Sequence, residues 1–213
     1  MGKIDENYFK PTEKDLKYHN IKDILDEDEQ LLWEGKPKKK AFLLNSFFKM
    51  FPFAIIWLIF DVSFIASIFS FFEEFDIKYT IFLVAFFAFH LLPVWIWISN
   101  VITANRQYKN LEYAFTNKRI IVKSGIIGID FKNIYYSEIH SVNLKVGIID
   151  RMLKVGDIYI TSNAKATILF DLENPYFITQ KLQKIVVDIK TDIEYPNNLR
   201  PNENNGYNTK YRP

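Results

Sequence analysis

Residues 51–72, FPFAIIWLIFDVSFIASIFSFF, and residues 79–102, YTIFLVAFFAFHLLPVWIWISNVI, are two long apolar runs separated by a short acidic connector, Glu73-Glu74-Phe75-Asp76. At about 1.5 Å per residue, each is long enough to cross a hydrocarbon core of about 30 Å. The first run carries one formal charge, Asp61, and the second none unless His90 is protonated. A soluble core helix of this length keeps a polar face for solvent, and neither run has one. The pattern predicts a two-helix transmembrane hairpin within residues 41–105, with spans at about 50–72 and 79–102.

The flanks predict its sense. Lys36, Lys38, Lys39, Lys40 and Lys49 precede the first span, and Arg106 and Lys109 follow the second. Between the spans, Glu73, Glu74, Asp76 and Lys78 sum to −2. By the positive-inside rule both chain ends face the cytoplasm and the acidic connector faces outward. Ala41–Phe48 reads either as an interfacial approach helix or as an inner extension of a tilted span. Trp95 and Trp97 are expected at the cytoplasmic interface with hydrated indole N–H groups, and Pro93 is expected to kink the second helix.

Asp61 and His90 are the costly residues of the hairpin. Counted from Phe75, they stand 14 and 15 residues away, which sets them at nearly equal depth. An ionisable group at the bilayer centre costs about 2.5–3.5 kcal/mol on insertion scales, so a partner across the hairpin offsets part of that. Two readings stay open: a proton relay or ion site, and a neutralised structural pair.

Outside the hairpin the chain supports one small domain and two tails. The composition is 49% hydrophobic and 24% charged, and its average hides the contrast between an apolar hairpin and polar flanks. A formal charge of +2 gives no case for nucleic acid as a partner. With no Cys there is no disulfide and no thiolate metal site. His19, His90 and His140 are too scattered to ligate a metal, and no cofactor is implied. Residues 1–40 read as a polar cytoplasmic segment without the apolar core of a signal peptide. Within it Thr12 is an expected N-cap, Asp26-Glu27-Asp28-Glu29 a solvated turn, and Gln30–Glu34 an apolar segment that forms a strand or packs on a neighbour, ended by Gly35 and Pro37.

From residue 106 to 190 the texture is that of short strands rich in β-branched and aromatic residues. Strands are predicted at 111–116, 119–123, 129–135, 140–146, 158–161 and 167–170, with turns at Asn117-Lys118 and Ser124–Gly128. Ile148–Leu153 reads as a helical turn or a loop, and Arg151 as the anchor of that loop. Asn174 then caps a helix that opens at Pro175 and repeats apolar residues at Phe177, Ile178, Leu182, Ile185, Val186 and Ile189. Residues 191–213 form an Asn- and Pro-rich tail with little to bury, expected to be disordered. The predicted class is α+β, a transmembrane hairpin followed by a curved antiparallel sheet or barrel capped by a C-terminal helix.

Several segments in this order resemble bacterial membrane proteins with a pleckstrin-homology-like (PH-like) domain. They are LLWEGKP at 31–37, Thr116 and Arg119 within YAFTNKRIIVKSGIIG at 113–128, SEIHSV at 137–142, IIDRMLKVGDIYI at 148–160, and NPYFITQKL at 174–182. The resemblance covers Leu31 to about Ile189 and departs at Lys154-Val155-Gly156, where related chains place a Gly directly after the Leu. It implies a curved sheet capped by a helix and held at a membrane, with no established ligand or reaction.

Lys118, Arg119, Lys123 and Lys132 are the candidates for contact with anionic headgroups, each worth up to about 1 kcal/mol near such a surface. Glu112, Asp130 and Glu138 are interspersed, so a solvated face of mixed charge is the competing reading. No nucleophile motif, phosphate-binding Gly loop or carboxylate pair in a pocket points to catalysis. The expected function is that of a non-enzymatic membrane protein presenting its sheet domain for protein or peptide binding or for scaffolding. The bilayer and a protein partner or second copy are its expected contacts. A subunit of an oligomeric transport or ion-conducting assembly that uses Asp61 and His90 is the alternative.

Overall fold

The computed structural model describes residues 20–71, 76–163 and 166–194. The N-cap expected at Thr12, connector residues 73–75 and the tail from residue 195 lie outside the described residues. Seven strands form two antiparallel sheets. The first, in spatial order, contains β1 (Leu31–Gly35), β2 (Glu112–Thr116), β3 (Arg119–Ser124) and β4 (Asp130–Tyr135); the second contains β5 (Ile139–Lys145), β6 (Val155–Ser162) and β7 (Thr167–Glu173). Between β1 and β2 the chain forms four helices, α1 (Lys39–Phe48), α2 (Phe51–Phe71), α3 (Ile77–His90) and α4 (Leu92–Asn110). A short helix α5 (Ile148–Leu153) joins β5 to β6, and α6 (Pro175–Glu194) closes the fold.

The apolar helices are therefore an insertion inside the sheet domain. Residues 31–35 are part of it, because Trp33, Glu34 and Gly35 pair with Phe115, Ala114 and Tyr113. The pairing is fixed by side chains as well as by backbone: the Trp33 ring stacks on Phe115 at 4.5 Å. A Cβ on Gly35 would come within 2.5 Å of the Trp33 ring, so only glycine leaves room for that stack.

One core lies between the two sheets and α6. Tyr113, Phe115, Ile120 and Val122 from the first sheet meet Val142, Ile158, Ile160, Leu169 and Leu172 from the second, with Ile178, Leu182, Val186 and Ile189 of α6 across one end. A second cluster, Ala114 and Ile121 with Ile21, Ile24, Leu25, Leu31 and Phe131, covers the outer face of the first sheet. Covering both faces explains why β2 and β3 read as near-continuous apolar runs instead of alternating.

The helices join this core directly. Phe42 of α1 and Ala104 of α4 are buried in it, so α1 is neither a free interfacial helix nor a simple extension of α2. The indoles differ from expectation as well: Trp97 Nε1 donates to the Phe47 carbonyl at 3.0 Å and Trp95 Nε1 to the Ala88 carbonyl at 3.1 Å. Leu91 breaks the second apolar run with a bend of 52°, and Pro93, which has no N–H to give, stands in the first turn of α4. By length and composition α2 can cross a membrane, as can α3 and α4 taken as one bent span.

Three local expectations are corrected. Asn174 has φ of 52°, so it does not cap α6 in the extended conformation of an N-cap. Asn tolerates this left-handed region better than most residues. The helix it precedes runs to Glu194, past the expected boundary at 190, and Phe177 points outward beneath the Lys181 ammonium instead of into the core.

Lys154 ends α5 in the left-handed conformation, with φ of 57° and ψ of 45°. That geometry disfavours a Cβ, while glycine adds entropy to the unfolded chain. Lys154→Gly is expected to stabilise the protein by about 0.5–1 kcal/mol. A higher thermal midpoint of the full chain in detergent is the expected reading; an unchanged or lower one would show that the lysine side chain offsets the strain.

Candidate functional site

Three of the four basic residues expected at a membrane surface, Lys118, Arg119 and Lys123, are held by carboxylates of the same chain. Lys123 Nζ lies 2.9 Å from Glu112 Oε2, and Lys36 Nζ 2.6 Å from Glu112 Oε1. Burial works against ionisation of Glu112, but the two lysines outweigh it and hold the carboxyl below its ordinary range. Lys118 Nζ lies 2.6 Å from Asp28 and 3.5 Å from Asp26. Strand alternation places Lys132, opposite Val122, on the other face of the sheet from Arg119 and Lys123. The four cations are thus not brought together as one patch.

Arg119 does the most surprising work. Its Nε and one terminal nitrogen donate to the two oxygens of Glu29 at 3.0 and 2.7 Å, and that nitrogen also donates to the Ile24 carbonyl at 2.9 Å. Thr116 Oγ1 donates to Glu29 at 2.6 Å and accepts the backbone N–H groups of Lys118 and Arg119 at 3.1 and 3.0 Å. Tyr136 completes the group by donating its hydroxyl to the Thr116 carbonyl at 2.9 Å. Glu29 belongs to the acidic run expected to form a solvated turn, yet its side chain is wholly buried. Desolvation favours the neutral acid, but Arg119 and Thr116 prevail and lower its pKa. Thr116 and Arg119 were legible as a motif; their partner, some 90 residues earlier, was not.

A second polar group sits where the helices meet the sheets. Asn45 Nδ2 on α1 donates to Asp150 Oδ1 of α5 at 2.8 Å and to Asp171 Oδ1 of β7 at 2.7 Å. Asp150 also receives the Gly147 N–H at 2.7 Å, so it, and not the exposed Arg151, anchors α5. Asp157 accepts the Asp171 N–H at 2.9 Å across a bulge in which Asp171 has φ of 49°. Lys38 extends the junction: its N–H donates to the Asp171 carbonyl at 2.9 Å, and its ammonium reaches the Leu153 carbonyl and Glu173. Burial, and then repulsion from Asp157, pushes the Asp171 carboxyl up to about 7, and Asp157 is raised by burial as well. The arrangement suits a mechanical joint that ties α1 to α5 and β7. Among the described residues no group of His, Asp and Glu is placed to hold a metal ion.

Within the apolar helices, His90 Nδ1 lies 2.7 Å from Asp61 Oδ1. The imidazole is framed by Trp57, Phe60 and Phe86, at 5.1, 6.2 and 5.2 Å between ring centres. Trp57 Nε1 donates to the His90 carbonyl at 2.7 Å, just before the bend at Leu91. Asp61 is buried, and its second oxygen has no hydrogen-bond partner among the described residues.

The family model for "Bacterial PH domain" matches residues 41–187, more than two thirds of the chain. The match begins in α1, after β1, and runs through the apolar helices into α6. No curated protein and no solved structure matches the chain.

Two outcomes follow from the charges. Arg119→Ala leaves Glu29 buried without its partner and is expected to cost about 3–5 kcal/mol, whereas replacing both residues with apolar ones (E29L/R119M) costs less. Thermal unfolding of the three proteins checks this, and an equal loss in both variants would show that the cost of Arg119→Ala does not come from stranding the Glu29 carboxylate. Asp171 binds its proton more tightly folded than unfolded, so its contribution is fully present below about pH 4 and is lost as pH rises through about 7. The stability difference between wild type and Asp171→Asn, a substitution that tolerates the same backbone, should therefore change by about 1–2 kcal/mol between pH 4 and pH 7.5, in favour of the variant at the higher pH. A constant difference would refute the titration of Asp171 in that window.

Proposed function

From a chain that belongs to the bacterial PH domain family, we propose a non-enzymatic integral membrane protein that presents its PH-like domain at the cytoplasmic face for protein or peptide binding or for scaffolding. The observation that carries this reading is the insertion itself. The apolar helices leave and re-enter the sheet domain between neighbouring strands, and Phe42 and Ala104 are common to the stalk and the core. Only 11% of the apolar window in α2 is buried, and Ile56, Ile59, Phe60, Val62 and Phe69 are exposed around it. An aqueous solvent penalises such a surface, and a bilayer does not. The hairpin then spans the inner membrane twice, with Asp61 and His90 satisfying each other in the hydrocarbon and the acidic connector outside.

Binding rather than catalysis fits the polar chemistry of the domain. Its buried charges are spent on each other in Arg119–Glu29 and around Asn45 instead of converging on an open cleft. The unpartnered oxygen of Asp61 favours a second reading, in which copies assemble so that this pair lines an interior path.

The chain has no Cys, so single cysteines report its topology. In intact cells, Lys78→Cys is expected to react with a membrane-impermeant maleimide from outside, and Ile127→Cys, in the turn between β3 and β4, only after lysis. The reverse pattern, or equal labelling of both, overturns the orientation. A native mass in mild detergent of one chain, free of membrane subunits, is expected for the scaffold; a defined ring of copies would favour the conducting assembly.

A further inference from the structure

The side of α5 turned away from the joint is apolar and uncovered. Ile148 is 85% and Met152 78% exposed, and their four-residue spacing puts both on one side of the helix. Asp150, on the opposite side, is buried against Asn45. That hydrogen bond also fixes where α5 stands along the stalk. Asn45 precedes Phe48, the end of α1, by three residues, or about 4.5 Å of helix, and α2 starts three residues beyond. Three exposed cations lie on α5 or near it, Arg151 within the helix, Lys154 at its end and Lys49 one turn beyond Asn45 along the stalk, and none has a carboxylate within salt-bridge distance among the described residues.

We propose that α5 is a second membrane contact, with Ile148 and Met152 entering the interfacial zone of the bilayer and Lys49, Arg151 and Lys154 meeting anionic headgroups around them. The inference rests on the membrane reading given above and extends it from the hairpin to the sheet domain. Two apolar side chains with cations near them are the pattern of an element that lies in an interface. Alone, so small a surface binds weakly. Here the stalk already holds it beside the bilayer, so the contact forms at a high effective concentration. Its effect is orientation: contact at α5 fixes which side of the sheet domain faces the membrane and which faces the cytoplasm.

The fold supplies an internal control. Ile127 is 96% exposed, in the turn between β3 and β4. That turn is tied to the far end of α4, where the Asn110 amide donates to the Gly125 carbonyl at 3.2 Å. α1 and α4 run antiparallel, with Lys39 over the Tyr108 ring and Phe47 against Trp97, so the turn is remote from the apolar helices while α5 is close to them.

Nitroxide labels at Met152→Cys, Ile127→Cys and Phe60→Cys test the inference in the full chain, reconstituted in vesicles of phosphatidylcholine and phosphatidylglycerol. Collision with a water-soluble nickel complex is expected to be lowest at Phe60, and at least about threefold lower at Met152 than at Ile127. The protection at Met152 should weaken in R151E/K154E or in vesicles of phosphatidylcholine alone. Equal collision at Met152 and Ile127, with Phe60 still protected, overturns the α5 contact and leaves the hairpin standing. Free collision at Phe60 overturns both. Spin–spin broadening between Met152 labels that is relieved by unlabelled chain would assign the surface to a second copy and likewise overturn the proposal.

Discussion

The pairing of β1 with β2 joins strands separated by residues 36–111, and the rest of the molecule is arranged so that this pairing can close. An unstructured loop of that length would cost about 2–3 kcal/mol more in closure entropy than a four-residue turn. The insertion avoids the penalty by closing on itself. Phe42 meets Tyr108 at 6.2 Å and Phe47 meets Trp97 at 5.2 Å, so the helices return their own two ends to one place. With Lys39 of α1 over the Tyr108 ring of α4, the folded insertion holds β1 and β2 adjacent.

Polar groups then select the register that apolar contact leaves open. The Glu29–Arg119 pair straps the segment before β1 to the turn between β2 and β3; beside it the Gln30 N–H donates to Asn117 Oδ1 and the Asn117 N–H to the Gln30 carbonyl. A buried pair of this kind adds little net stability, because desolvation cancels much of the attraction. It is selective all the same: a slip of one residue would strand a carboxylate or a guanidinium without a partner. The joint around Asn45 has the same logic at the other end, where one side-chain amide satisfies carboxylates from two elements.

Local pattern was enough for most of the elements. The strands from β2 to β7, α6 and the break near Pro93 follow from alternation, helical spacing and the chemistry of proline, with ends that differ by a few residues. Equal depth in a hairpin was enough to bring Asp61 and His90 together. Two kinds of feature were not legible. Glu29 sits in an acidic run that looks solvated, and only the fold, by placing Arg119 over it, makes it a core residue. The role of β1 depends on a pairing across the whole insertion, which no local window contains. The carboxylate partners of Lys118, Arg119 and Lys123 were hidden for the same reason, since a cation looks free until the fold brings its carboxylate to it.

The way the helices enter the domain also decides what they can do to it. α4 ends at Asn110 and β2 begins at Glu112, while three residues, Lys36 to Lys38, separate β1 from α1. Neither connection has the length of a flexible linker, and the Lys36 and Lys38 ammonium groups are both ion-paired to the sheet domain. A domain on one long tether samples orientations independently of its anchor. This one has two short connections into neighbouring strands, with Phe42, Ala104 and Asn45 packed or hydrogen-bonded between stalk and sheet. The apolar helices and strands β1 and β2 are therefore one continuously packed body, not a domain hung on a linker.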